Sequence, residues 1–299
     1  MIGAFFTVVL WTISTIGASR SAAAFGGSFT NRWRLVIALM LLGVVLPFAG
    51  LMPHGQALLW LLASGAIGLG IGDLAMYRGY ELVGPRLIVL LTLCLASPLA
   101  GIIEWIWLGT APRPMQWVWI AVTLTGMALA LGPRALPDVS SDRLRRGILM
   151  GLLSACGLAV AGVFTRHARH ADDGSGVLLV GIAGGIGAAF VRNLGGGLAA
   201  FISGWLISQR TGEPPMKPAT RRQGWSGLMV AAVCGPALGV VCYQWALLQA
   251  PAATVHAVIA LVPVSVMLVA RWVDGDRPSV MAWIGAIVAV SGAIGVACS

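Results

Sequence analysis

Glu104, Asp73, Arg192 and His256 stand inside long apolar runs of a chain in which only 10% of the residues are charged. An ionisable side chain at membrane depth costs about 2.5–3.5 kcal/mol even on gentle insertion scales, so each of these needs a chemical reason to be there. Glu104 follows Pro98 and is flanked by Trp105 and Trp107 near the end of its run. A carboxyl group there can carry a proton or hold a substrate amine, with snorkelling to the interface as the alternative. Asp73 has Tyr77 one helical turn later, on the same face. It serves either a substrate pathway or an arginine partner. Arg192 lies between glycine-rich stretches. That setting suits a broken helix presenting the guanidinium to a carboxylate or phosphate, or else a helix start near the interface. His256, near the start of its run, titrates near neutrality when hydrated. Tyr77, Tyr243, Trp11, Gln244 and Trp245 supply the aromatic and hydrogen-bonding lining expected of a small-molecule site.

Other chemistries find less support. Gly70-Ile71-Gly72-Asp73 spells the G-x-G-D signature of intramembrane aspartyl proteases, but every other aspartate (Asp138, Asp142, Asp172, Asp173, Asp274, Asp276) lies in or beside a polar break, so the dyad lacks its second carboxylate. Gly68 and Gly72 form a G-x-x-x-G pair better suited to close helix approach. The five cysteines sit in apolar surroundings without a C-x-x-C pair, and no metal or cofactor is expected. A lipid-modifying enzyme would have only His167 and His170, at weak spacing beside Asp172 and Asp173, and a non-transporting scaffold would need no such residues at all. No G-x-x-x-x-G-K-[ST] loop is present for nucleotide drive. The net charge of +9 comes from basic residues in short polar breaks rather than from a basic face, which argues against nucleic acid.

The elements that must position these residues follow from composition. With 58% hydrophobic residues and 40 glycines in 299, the chain cannot cover a water-soluble surface with charge. Its solvent is the lipid bilayer. Apolar runs near Ile2 to Ser19, Trp33 to Leu51, Ala57 to Tyr80, Leu87 to Leu108, Met115 to Leu131, Gly147 to Phe164, Val177 to Ile207, Trp225 to Leu248, Ala252 to Val273 and Met281 to Ala297 predict ten transmembrane helices of an all-α membrane protein. The first run opens at Met1 without a basic leader and reads as a helix, not a cleaved signal. Residues 132–146 form a charged, proline-containing linker between a first unit, 1–131, and a second, 147–299. Gly109, Pro112, Trp117 and Gly126 recur as Gly275, Pro278, Trp283 and Gly292 at a constant shift of 166, and Tyr77, Leu82 and Pro85 recur as Tyr243, Leu248 and Pro251. Five helices per copy is an odd number, so the copies run in opposite directions: two inverted five-helix repeats. Such repeats supply two related packings, one open to each side, with the binding site where the copies meet.

Trp11 in the first helix, Arg32 or Arg34 opening the second, and the turns Pro98 with Gly109-Thr110 and Pro263 with Gly275-Asp276 carry a resemblance to the drug/metabolite transporter superfamily, EamA type. Thr110 stands where that family usually has glutamate. The resemblance implies a secondary transporter of the bacterial inner membrane, not an enzyme, exporting a small metabolite such as an amino acid or its derivative. Coupling to protons, favoured by Glu104, and plain facilitated exchange both remain open. Basic residues number 15 in the odd-numbered loops against 3 in the even-numbered ones, which by the positive-inside rule puts both termini outside, whereas family habit puts them inside. Trp117, Trp119, Trp272 and Trp283 read as interface anchors.

Overall fold

Helices account for the ordered backbone, and no strand occurs among the described residues, which in this computed structural model are 2–49, 52–109, 113–130, 140–170, 181–211, 221–273 and 279–299. The helical segments are α1 (Ile2–Phe25), α2 (Gly27–Ala49), α3 (Gly55–Val83), α4 (Pro85–Leu108), α5 (Pro114–Ala130), α6 (Ser141–His170), α7 (Gly181–Thr211), α8 (Arg221–Leu247), α9 (Ala252–Ile259 continuing as Val262–Val273) and α10 (Val280–Cys298). Eight of them are long and apolar enough to cross a membrane, and Pro114–Ala130 and Val280–Gly295 are shorter apolar helices. Their outward faces are strongly apolar, as the 87% exposure of Phe48 and 78% of Ile106 show. With lipid on one side, helices must associate through close backbone approach and polar contacts rather than through hydrophobicity.

Small residues make that approach. A Cβ on Gly126 would lie 2.2 Å from the Ala289 nitrogen, and one on Gly292 would lie 2.5 Å from the Thr123 nitrogen, which locks α5 against α10. Residues 123 and 289 differ by the same shift of 166 as Gly126 and Gly292, so each glycine meets the other's counterpart. The wider packing follows the same exchange. α1 packs on α8 as α6 packs on α3; α4 touches α6 as α9 touches α1; α3 meets α7 as α8 meets α2; and α2–α7 and α4–α9 pair with their own counterparts. The Gly68/Gly72 pair also does what its spacing suggests, facing Ala161 and Gly157 of α6.

Both α3 and α8 widen into a π turn, at Ala66–Gly72 and Val233–Ala237. The cause differs: the first is glycine-rich, while the second contains Pro236, which has no N–H to donate and crowds the preceding turn. The remedy is shared. Asn31 of α2 donates Nδ2 to the carbonyls of Leu69 (3.0 Å) and Gly70 (3.2 Å), and Asn193 of α7 donates to that of Pro236 (2.8 Å), the residue 166 beyond Gly70. Proline also separates the two pieces of α9, where Pro263 follows Val262, yet Pro98 is accommodated inside a continuous α4.

Several expected boundaries are corrected. α1 continues to Phe25 and α2 starts at Gly27, because a single glycine, Gly26 at φ 85°, makes the turn that the arginines seemed to mark. Arg20, Arg32 and Arg34 are therefore helical. α7 runs unbroken through Arg192, neither interrupted there nor starting there. Its glycines serve packing instead: a Cβ on Gly195 would fall 2.1 Å from the Leu62 oxygen. α6 begins at Ser141 and ends at His170, so the end of the linker, together with Arg166, His167 and Arg169, is helix and not loop. Residues 132–139, Thr110, Pro112, Asp138, Asp172, Asp173, Gly275-Asp276 and Pro278 lie outside the described residues. Trp119 packs against Gly295 of α10, and Trp117 is exposed beside Trp105.

Candidate functional site

Where the two halves meet, the helices leave a partly open cavity lined by residues of both. Trp11, Ser14 and Thr15 of α1, Arg34 of α2, Gly68, Asp73 and Tyr77 of α3, Thr92 and Leu93 of α4, Leu158 of α6, Arg192 of α7, Val240 of α8 and Val262 of α9 all line it. It reaches from midspan toward Ala18, Tyr80 and Val89, the end at which α1 and α3 finish and α4 begins. Ala4, Val8, Ala246, Leu247, Ala252 and Val255, toward the other end, are buried in the apolar core.

One wall is ionic. Arg34, with a side chain 4% exposed, pairs with Asp73, at 20%. Arg34 also donates to Asn31 Oδ1 from Nε (3.2 Å) and Nη2 (3.0 Å), and it lies over the Tyr77 ring, 4.8 Å from the centroid. The second half repeats the cation and the aromatic: Arg192 lies over Tyr243 at 5.0 Å. It does not repeat the acid, since Gly239 occupies the position 166 beyond Asp73. Arg192, 1% exposed, instead donates from Nη1 to Gln244 Oε1 at 3.0 Å, and among the described residues no carboxylate reaches it. Gln244 is held by Thr165 (3.5 Å), which in turn is 3.0 Å from Ser64, so four helices share one polar chain. Gly68 makes room for the guanidinium, as a Cβ there would come within 2.8 Å of Arg192 Nη2.

Of the residues singled out in the sequence, Trp11, Asp73, Tyr77 and Arg192 line the cavity. Tyr243, Gln244 and His256 form a layer behind it: Trp11 and Tyr243 are 5.3 Å apart, and the Tyr243 hydroxyl is 2.7 Å from His256 Nε2. Trp245 packs against Gly3 and Gly185. Glu104 is absent from the lining and pairs with Arg166 Nη1 at 3.1 Å, near the aromatic cluster of Trp60, Trp107, Phe164 and His167. Arg34, Thr92, Asn31 and Asn193 were not singled out. For Arg34 the signal was Gly26-Gly27: with the helix starting there, the arginine falls two turns inside it. Among the described residues no group of three or more His, Cys, Asp or Glu side chains is placed to hold a metal.

The sequence matches the profile of the EamA-like transporter family twice, over residues 1–132 and 145–298. No curated protein matches. A solved structure described only as a crystal structure of a protein shares the fold, with a TM-score of 0.65 and 18% identity over 98% of this chain and 94% of that one.

Proposed function

Since the chain belongs to the EamA-like transporter family and is a multi-pass membrane protein, we propose that it is a secondary transporter working by alternating access between two inverted five-helix repeats, all ten helices spanning the membrane. The observation that carries this reading is the cavity at the junction of the halves, lined from both. The exchange-symmetric helix contacts support a second packing of similar energy, in which the closed half opens and the open half closes. In this reading the substrate is a small amphipathic metabolite such as an amino acid or its derivative. The lining combines the charged Arg34, Asp73 and Arg192 with the apolar Leu93, Leu158 and Val262.

The direction proposed is export from the bacterial cytoplasm. Basic residues concentrate at the end toward which the cavity extends, and Arg34, a cavity residue, leaves that tally without reversing it. The open half then faces the cytoplasm with both termini outside. Glu104 has its own partner in Arg166 and takes no part. The cavity's acid, Asp73, is already engaged, so exchange of substrates is favoured over proton coupling. The test compares metabolites in medium and cytoplasm of cells overproducing the protein, its Asp73→Ala variant, or neither. A small chemical set moving outward with the unaltered protein and not the variant is expected. Accumulation inside would overturn export, and no shift despite confirmed insertion would overturn transport.

A further inference from the structure

The charges that line the cavity do not cancel. Asp73 is bonded to Arg34 and acts on Arg192 only at longer range, so two cations stand against one anion. A buried cation without a counter-ion is among the costliest arrangements a protein can hold, and one amide oxygen together with the face of a tyrosine returns only part of its lost hydration. Two further observations point outward from the protein. Arg192 Nε is buried without a hydrogen-bond partner, and so is the hydroxyl of Thr92, which lines the same cavity from α4. Buried donors are nearly always satisfied in native structures, so these two mark where ligand atoms belong. The guanidinium fork suits a planar two-oxygen anion, with one oxygen on Nε and the other on a terminal nitrogen.

From this uncompensated charge we infer that the ligand is a water-soluble organic monoanion: a carboxylate held by Arg192, with an apolar body against Trp11, Leu93, Leu158 and Val262. The inference rests on the transporter reading for the word substrate and on Arg192 alone for the binding. It narrows the class. A zwitterionic amino acid would bring an ammonium whose natural partner, Asp73, is already satisfied by Arg34, whereas an N-acyl amino acid brings one negative charge and makes the loaded cavity neutral. A phosphomonoester, close to doubly charged at neutral pH, would overshoot by one.

The test uses the purified full-length protein in detergent and three probes that share one side chain: N-acetylphenylalanine (−1), phenylalanine (zwitterion) and phenylalaninamide (+1). Binding is read by tryptophan fluorescence and by ligand-induced thermal shift, with phenyl phosphate as a fourth probe and mass spectrometry of co-purifying lipid as a control. N-acetylphenylalanine should bind most tightly, and Arg192→Gln should weaken it roughly ten- to hundred-fold, the worth of a charge-assisted hydrogen-bonded pair, while leaving the other two probes unchanged. Arg192→Lys, which keeps the charge and loses the fork, should fall between. The Arg192→Gln variant should melt no lower than the unaltered protein, since shedding the buried charge offsets the lost bond to Gln244 Oε1. Preference for phenylalanine, the amide or phenyl phosphate, equal anion binding by Arg192→Gln, no binding of any probe, or an anionic phospholipid occupying Arg192 would each overturn the inference. Anion binding without flux in proteoliposomes would sink the transporter reading and leave this one standing; flux of zwitterions or cations would do the reverse.

Discussion

Replacing Asp73 by leucine should destabilise the protein far more than replacing its partner Arg34 by methionine, and making both changes should restore most of the loss. The ion pair is buried on the Arg34 side and partly open on the Asp73 side, with side chains 4% and 20% exposed. Breaking a buried pair costs about 3–5 kcal/mol because it strands a charge, and the partial exposure of Asp73 favours the lower end, about 3 kcal/mol. Without Asp73, Arg34 keeps Asn31 Oδ1 and the face of Tyr77 and shares its cavity with a second unneutralised arginine. Without Arg34, Asp73 still has Arg192 on the same cavity wall to turn to, so the cost falls to roughly 1–2 kcal/mol. At about 2–4 °C per kcal/mol, thermal unfolding in a fixed detergent should drop by roughly 6–12 °C for Asp73→Leu and roughly 2–8 °C for Arg34→Met. The double variant strands no charge that the unaltered protein pairs and loses mainly the two hydrogen bonds to Asn31 Oδ1, so its stability should stay within about 2 kcal/mol of the unaltered protein. Additive losses in the double variant, or a larger loss for Arg34→Met, would refute the charge accounting on which the cavity's reading depends.

Gly126→Leu should disrupt the α5–α10 seam, since even a Cβ there would lie 2.2 Å from the Ala289 nitrogen; a loss of at least 1–3 kcal/mol should show as a broadened size-exclusion peak. Tyr243→Phe removes the 2.7 Å contact with His256 and leaves the Nε2 of a buried imidazole without that partner, so a cost of about 1–3 kcal/mol is expected in the same melting assay. Glu104→Gln should leave ligand binding unchanged, because the carboxylate pairs with Arg166 away from the cavity; a binding change measured by fluorescence titration would return Glu104 to the site.

The architecture was readable because lipid imposes a coarse rule, namely that apolar runs become helices, and the Gly126/Gly292 correspondence named in the sequence is the one that closes α5 on α10. Ends were less readable. The arginines after Ser19 look like a polar break, yet the helix passes through them and turns on Gly26, since a helix ends where the backbone adopts positive φ and not where polarity rises. Asp73, Tyr77, Trp11 and Arg192 could be picked out because polar and aromatic groups at membrane depth are conspicuous. Glu104 was just as conspicuous for the same reason, and nothing local distinguishes a carboxylate facing a cavity from one facing Arg166, 62 residues on. Arg34 was hidden by company: two nearby arginines made it look like a topology signal.

The halves are alike in shape and unlike in charge, and that has a kinetic meaning for a carrier. In the alternating-access reading proposed above, the second packing exchanges geometry but not residues: where Asp73 stood beside Tyr77, the newly opened half would offer Gly239 beside Tyr243. A solute therefore meets a different electrostatic surface from each side of the membrane, and the concentrations that half-saturate the two faces differ. No work is gained by this, because the equilibrium between the two empty forms shifts by the compensating amount. On that reading the protein is a carrier whose throughput depends on the side from which it is loaded, while the final distribution of its solute does not.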